Sequence, residues 1–364
     1  MKLENLNRDS QHLLIVATIL LCIGIVMIYS ASSCYAYEQY NDSAYYLKRH
    51  LIHFTVGLLL AGFFLKKDYK NLKKYAKAFL AISIIGLILA LLPGIGREAG
   101  GAKRWVKLGF IGFQPSEFAG FFLIVYIADI LDRKQPVIRS FMQGFMPSLM
   151  ILGFSVLLIL LQPDLGSSVC ILIVGLIMMF VSGVNMAYFL PFLIPIIPIF
   201  YFLIFKVAYR LRRITSYLDP WSDTQGAGFQ IIQSFLALGS GGILGLGLGC
   251  SKQKLFYLPQ AHTDFIFSII GEEAGLIGTL SVVALFVAFV WLGIQISIKA
   301  KDLFGRFLSL GIITSIGLKA VINIAVSTGA IPTKGLPLPF ISYGGTALIF
   351  NIIAVAMLIN ISNS

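Results

Sequence analysis

Charge is the scarcest ingredient of this 364-residue chain: 12% of its residues are charged, against roughly a quarter in soluble domains. With 58% hydrophobic residues and a mean hydropathy of +0.88, a water-facing surface is excluded and insertion into a membrane is expected. Acidic residues are fewer still, 16 against 28 Lys and Arg, which leaves a net charge of +12. The basic residues are scattered between apolar runs and form no continuous face, so nucleic acid is excluded as a partner, and anionic lipid headgroups or polyprenyl phosphates fit better. There are only four cysteines and no C-x-x-C spacing, which leaves a zinc site unsupported. Cys34 and Cys250 are expected on the same side of the membrane, where a disulfide is conceivable, although two free thiols are the simpler expectation. Gly-Lys-Ser/Thr, His-Glu-x-x-His and nucleophile-elbow motifs are all missing, which argues against nucleotide hydrolysis and zinc proteolysis.

What the chain has in quantity is apolar sequence. Runs extend over Leu13–Ser30, Leu51–Leu65, Ala78–Leu92, Phe118–Leu131, Phe145–Leu161, Ser168–Ser182, Met186–Phe205, Phe265–Ile296, Leu308–Val326 and Gly345–Ile361, ten spans in all. The first follows Lys2, Arg8 and His12 with no small-residue cleavage site after it, and is expected to be retained. The fold class is thus an all-α polytopic membrane protein of about ten transmembrane helices, read as one domain over residues 1–364. An even number of spans places both termini on one side. Lys66, Lys67, Lys70, Lys73, Lys74 and Lys77, between the second and third spans, make that side cytoplasmic.

On the opposite side two segments exceed what a turn needs: Pro93–Glu117 and, between helices 7 and 8, the extracytoplasmic loop 206–264. Loops of that length usually carry function. Within the second, 229–238 places Gln230, Gln233 and Ser234 on one side, as a helix lying in the interface would. The glycine-rich run 239–249 indicates either close packing or a flexible connector.

Polar residues near apolar runs are the candidates for chemistry, because a helix bundle in lipid retains them only if they are external, paired or useful. Asp264, preceded by His262 and Thr263, stands where the long loop meets the eighth span. It is either a first-turn acid behind a Thr263 cap or a base, desolvated by Phe265, Ile266 and Phe267, aimed at a headgroup. Lys103, Arg104 and Lys107 flank Trp105, a set that suits diphosphate and sugar contact or anchoring at the interface. Glu117 follows Pro115 and Ser116 in a helix-start pattern, and Asp164 sits at a second helix boundary as a turn-and-cap residue. Glu272 and Glu273 enter the eighth span and call for a cation; Lys319, on one helix face with Asn323, is the expected partner in a structural lock. The segment 327–345, with three prolines and four glycines, cannot be regular helix, so its Lys334 is expected to face a wet cavity.

Taken in order, Gln114-Pro-Ser-Glu117, Tyr217-Leu-Asp-Pro-Trp221, Gly228–Ser234, Tyr257–Glu273 and Gly335–Gly345 resemble the SEDS family (shape, elongation, division and sporulation) along nearly the whole chain, and most closely its cell-division branch. The resemblance implies a peptidoglycan glycosyltransferase in the bacterial cytoplasmic membrane that polymerises lipid II on the outer face, building septal wall. By motif, Asp264 corresponds to the family's essential aspartate, thought to deprotonate the acceptor sugar's 4-hydroxyl. The donor's undecaprenyl diphosphate then leaves.

The resemblance also makes Arg104, Trp105, Lys334, His262 and Thr263 candidates for substrate contact, and Glu117 and Asp164 for cavity structure. It implies partners as well: lipid II, the undecaprenyl diphosphate-linked glycan, a class B penicillin-binding protein and other division proteins. A divalent cation, Mg or Mn, could assist the leaving diphosphate, although no ligand cluster announces one. This sequence has Gln260 where a glutamate commonly follows Leu-Pro, and Gly120 where a lysine commonly follows Gln-Pro-Ser-Glu. The competing functions are a lipid II flippase, an elongation polymerase and a non-catalytic scaffold. Pro191, Pro195 and Pro198 in the seventh span are the features a transporter would use.

Overall fold

The computed structural model describes residues 7–93, 96–99, 102–108, 111–191, 194, 198, 201, 205, 208–226, 228–255 and 258–364. Its helices are α1 (Arg8–Tyr40), α2 (Tyr45–Lys66), α3 (Lys70–Leu91), α4 (Pro115–Arg133), α5 (Met146–Leu161), α6 (Leu165–Val181), α7 (Ala208–Leu218), α8 (Phe229–Gly241), α9 (Ile266–Lys299), α10 (Leu303–Ser327) and α11 (Gly345–Asn363). Nine of the ten expected spans coincide with helices of this set. The remaining one, Met186–Phe205, lies largely outside the described residues. Among the described residues, seven helical stretches are long and apolar enough to cross a bilayer by themselves, α5 together with the helical turn Phe141–Phe145 before it. α6 is shorter, and α4 carries Glu117 and Asp129, which the bundle buries, and the half-buried Asp132.

Local chemistry sets the helix ends. Gln114 is extended and Pro115 opens α4, the position where a missing N–H costs nothing. Asp302 starts α10 by accepting from Gly305 N at 2.6 Å. α1 closes at Asn41, whose left-handed φ of 53° lets its N–H reach Tyr37 O.

α11 is deeply embedded and packs on α2, α1, α4 and α10, while α2 and α3 expose apolar faces suited to lipid. The start of α1 and the C-terminus sit at one end of the bundle with the basic turns. Asn7 N donates to Asn363 Oδ1, Lys299 pairs with Asp9, Lys73 with Asp132, and Tyr69 Oη donates to Asp302.

Two features were not expected from the sequence. The segment before α4 folds into a three-stranded antiparallel sheet, β1 (Gly96–Ala99), β2 (Ala102–Leu108) and β3 (Ile111–Phe113), lying against α3 and α4. Arg97 faces Trp105 and Glu98 faces Lys103, so Arg104 is the extra residue of a bulge in β2.

α9, with 34 residues, is also not one rod. It breaks at Gly275 (φ 66°, ψ −163°), and the glycine-rich run fills the break. Leu246 and Gly247 donate N–H to Glu272 O and Glu273 O, and Leu276 and Ile277 donate to Gly242 O and Ile243 O. Close packing is therefore the role of that run: a Cβ at Gly245 would sit 2.2 Å from Glu273 O. α8 turns its polar side into the protein. Its Ser234 is fully buried and bonds Ser268 Oγ and Ser327 O, both at 2.6 Å, tying α8 to α9 and α10.

Candidate active site

At the bundle end opposite the termini, two segments far apart in sequence are clasped together. Residues 260–264 form a tight turn in which Thr263 N and Asp264 N converge on Gln260 O at 3.1 Å, with Gln260 itself at φ 60°. Asp264 precedes α9, whose first residue is Ile266, and Thr263 Oγ1 donates back to Gln260 instead of capping. Thr263 as a helix cap with Asp264 in the first turn is therefore ruled out. The cause is local: the Gln260 turn also takes the Phe265 N–H, at 3.4 Å, one of the two that a Thr263 cap would use.

The second segment, 328–344, lies across the first. Tyr343 N donates to His262 O (3.0 Å) and Ser342 Oγ to Thr263 O (2.5 Å). From α10, the buried Asn323 donates both amide hydrogens, one to Asp264 O (2.9 Å) and one to Leu336 O (2.8 Å). This single side chain fixes Asp264 and the 334–336 stretch relative to each other.

Gly335 is the point of contact: a Cβ there would lie 3.3 Å from Asp264 Oδ2, so a larger residue would press on the carboxylate and shift it by a few tenths of an ångström. Phe340, at φ 67°, presses its carbonyl onto α1, where a Cβ at Gly24 would be 2.3 Å away. Asp264, Thr263, His262 and Lys334 are all half-buried. Burial holds the Lys334 ammonium below the usual lysine range and pushes the His262 imidazole down to about 4, so that His262 is neutral at pH 7.

Trp105 is half-buried on β2, and the side chain of Arg104 lies outside the described residues. The sheet is linked to the site's surroundings just after β3, where Gln114 N donates to Thr346 Oγ1 at 3.2 Å.

Deeper in the bundle, Glu117 pairs with Lys319 at 2.6 Å beside a narrow cavity of about 30 Å³ lined by Ser116, Gly120, Ser167, Cys170 and Asn351. The cation at Glu117 thus comes from α10 and not from position 120. Asp164 caps α6 as expected, accepting from Ser167 N (3.1 Å) and Ser167 Oγ (2.8 Å), with Ser116 Oγ at 3.4 Å.

The expectation that Lys319 neutralises Glu272 and Glu273 is corrected. Glu273 pairs with the buried Lys254 at 2.9 Å and accepts from Ser30 Oγ, while Glu272 accepts from Ser251 Oγ, Lys252 N and Gln253 N. The 251–254 loop does what a second helix was expected to do, because the break at Gly275 turns this part of α9 toward the loop. No pattern in the sequence marks Lys254; it is one lysine of a polar loop. All four cysteines are free. Among the described residues, no group of three or more His, Cys, Asp or Glu stands together as a metal site.

The chain matches, over residues 10–364, the family described as "Cell cycle protein" that groups FtsW, RodA and SpoVE. A probable peptidoglycan glycosyltransferase FtsW of Geobacter sp. strain M18 is 46% identical, with 96% of this chain and 95% of that protein covered. Stage V sporulation protein E of Bacillus subtilis is 42% identical, with 96% of each covered. Among solved structures, a chain of a peptidoglycan synthase complex, studied for its coordination of polymerization and crosslinking, superposes with a TM-score of 0.79 at 28% identity over 96% of each chain. The crystal structure of Thermus thermophilus rod shape determining protein RodA gives 0.71 at 25% identity, covering 96% of this chain and 95% of that one. A family match along nearly the whole length, together with a relative 46% identical over 96% of the chain, makes this chain a member of the SEDS family.

Proposed function

We propose that this chain is a peptidoglycan glycosyltransferase that polymerises lipid II for septal wall synthesis, with both termini cytoplasmic and the Asp264 clasp on the outer face of the membrane. One observation carries this assignment: a carboxylate and a partly desolvated ammonium, which has no ion-pair partner among the described residues, are brought onto neighbouring segments, Asp264 beside Gly335 with Lys334 next in the chain. The names of the 46% identical relative and of the solved synthase complex support the same activity.

Asp264 takes the proton of the acceptor sugar's 4-hydroxyl as its oxygen attacks C1 of the donor. The C1–O bond to undecaprenyl diphosphate breaks, C1 inverts, and the proton rests on the carboxylate. Lys334 meets the departing diphosphate, with the β2 bulge that carries Arg104, and Trp105 beside it, as the second contact for phosphate and sugar. His262 and Thr263 shape the wall of the site, His262 as a neutral ring. Glu117, Lys319, Asp164, Glu272 and Glu273 hold the bundle. A Mg or Mn ion at Asp264 would find one carboxylate there and draw its remaining ligands from phosphate and water, so no step is assigned to it. A class B penicillin-binding protein is the partner that cross-links the product.

Passage of lipid II by way of Glu117 is disfavoured by size: the buried polar cavity there holds about two waters, not a disaccharide. The test is Asp264→Asn in the purified protein with lipid II. Binding and membrane levels should persist while polymer disappears; polymer at the wild-type rate removes Asp264 as base.

A further inference from the structure

We propose that the tyrosine cluster at the α1–α2 turn is a saccharide-binding platform that holds the glycan strand as it passes the site; this rests on the polymerase function above. Tyr35, Tyr40, Tyr45 and Tyr46 form one array. Tyr40 stacks flat on Tyr45 (3.8 Å, 11°), the Arg49 guanidinium covers the Tyr45 ring at 4.6 Å, and Tyr46 stands edge-on to both Tyr40 and Tyr45. The array runs directly into the candidate site: the Tyr46 ring lies 4.5 Å from the ring of His262 and 5.1 Å from that of Tyr343, residues that clasp the turn carrying Asp264.

An aromatic belt at a membrane interface also collects tyrosines, but belt rings act singly and need no support. Here the ring is braced. Tyr45 is covered by Tyr40 and Arg49, while Tyr40, backed by that column, remains 48% exposed. The connecting turn is pinned as well. Asn41 adopts the left-handed conformation, and Asp42 accepts from Ala44 N (3.0 Å) and Lys48 Nζ (2.8 Å).

A rigid aromatic face presents the negative side of its quadrupole, to which the apolar C–H face of a pyranose is attracted, at little cost in side-chain entropy. Tyr46 joins the two ends, 4.5 Å from the His262 ring at 41° and 6.0 Å from the Tyr40 ring at 78°, so the array offers the Tyr40 face to a sugar and runs on to the Asp264 turn through touching rings. Tyr37 is the internal contrast: it is 64% exposed on the same helix end and, among the described residues, has no ring contact.

The probe is a lipid-free, uncross-linked glycan tetrasaccharide binding to the full-length protein in nanodiscs, measured by saturation-transfer NMR and by titration. The Asp264→Asn chain is used so that no turnover occurs. Tyr40→Ala should weaken binding about fivefold to tenfold, Tyr40→Trp should retain it, and Tyr37→Ala should leave it unchanged. Equal loss from Tyr37→Ala and Tyr40→Ala, or binding indifferent to the ring at position 40, overturns the platform. Wild-type polymer synthesis is scored separately. Ring-dependent binding without polymer supports the platform and sinks the polymerase function, whereas polymer without ring-dependent binding does the reverse.

Discussion

Breaking the Glu117–Lys319 pair from one side should cost far more than removing it whole. The Nζ–Oε2 distance is 2.6 Å, and the two side chains are 4% and 15% exposed, so the charges have little water to turn to. Lys319→Met leaves the Glu117 carboxylate in a bundle core that already holds Asp164, linked through Ser116 Oγ. An uncompensated buried charge of this kind costs about 3–5 kcal/mol. Glu117→Gln strands the ammonium at similar cost. The double variant leaves no charge behind and should lie within about 1–2 kcal/mol of wild type, giving a coupling energy of several kcal/mol.

The assay is a double-mutant cycle in equilibrium unfolding with denaturing detergent, with polymerisation measured on the same four proteins. Single-variant losses that simply add would refute the pair as a mutual neutralisation. A double variant that is stable yet makes no polymer would move Lys319 from structure to substrate contact.

Asn323→Asp preserves shape but points an acceptor at two carbonyls, costing about 1–3 kcal/mol for each lost donor; polymerisation should fall at least tenfold at normal membrane levels, and a wild-type rate would dismiss its bridging role. His262 is held by burial to about 4 when folded against an unfolded value of 6.5, so the folded state binds fewer protons between those values. Its contribution to stability is full above pH 6.5 and is lost as pH falls towards 4. In thermal unfolding across that window His262→Gln should show a shallower pH dependence, and identical slopes would contradict the burial of the neutral ring.

Most of the helices were legible because hydrocarbon imposes a simple rule, about 20 apolar residues per span, that holds locally. Pairings between helices were not legible in the same way. Lys319 and Asn323 were correctly placed on one face by their spacing of four, and Asn323 does reach the site, yet Lys319 turned out to serve Glu117. The charge balance of Glu272 and Glu273 could not be foreseen because it depends on Gly275 breaking the helix and on a loop lysine 19 residues away from Glu273. The non-helical character of 327–345 followed from its prolines and glycines, but its clasp onto His262 and Thr263 is made by backbone N–H and C=O groups that every residue carries. Similarly, the strands between Gly96 and Phe113 pair through the main chain, which composition does not reveal.

The broken helix has a mechanical consequence. Between the Gln260 turn and Gly275 runs a short leg of α9, rooted at Asp264 above and gripped at Glu272 and Glu273 by loop 246–254. Any displacement of that loop is passed through Glu272 and Glu273 to the leg that follows Asp264, while the break at Gly275 uncouples the rest of α9 from it.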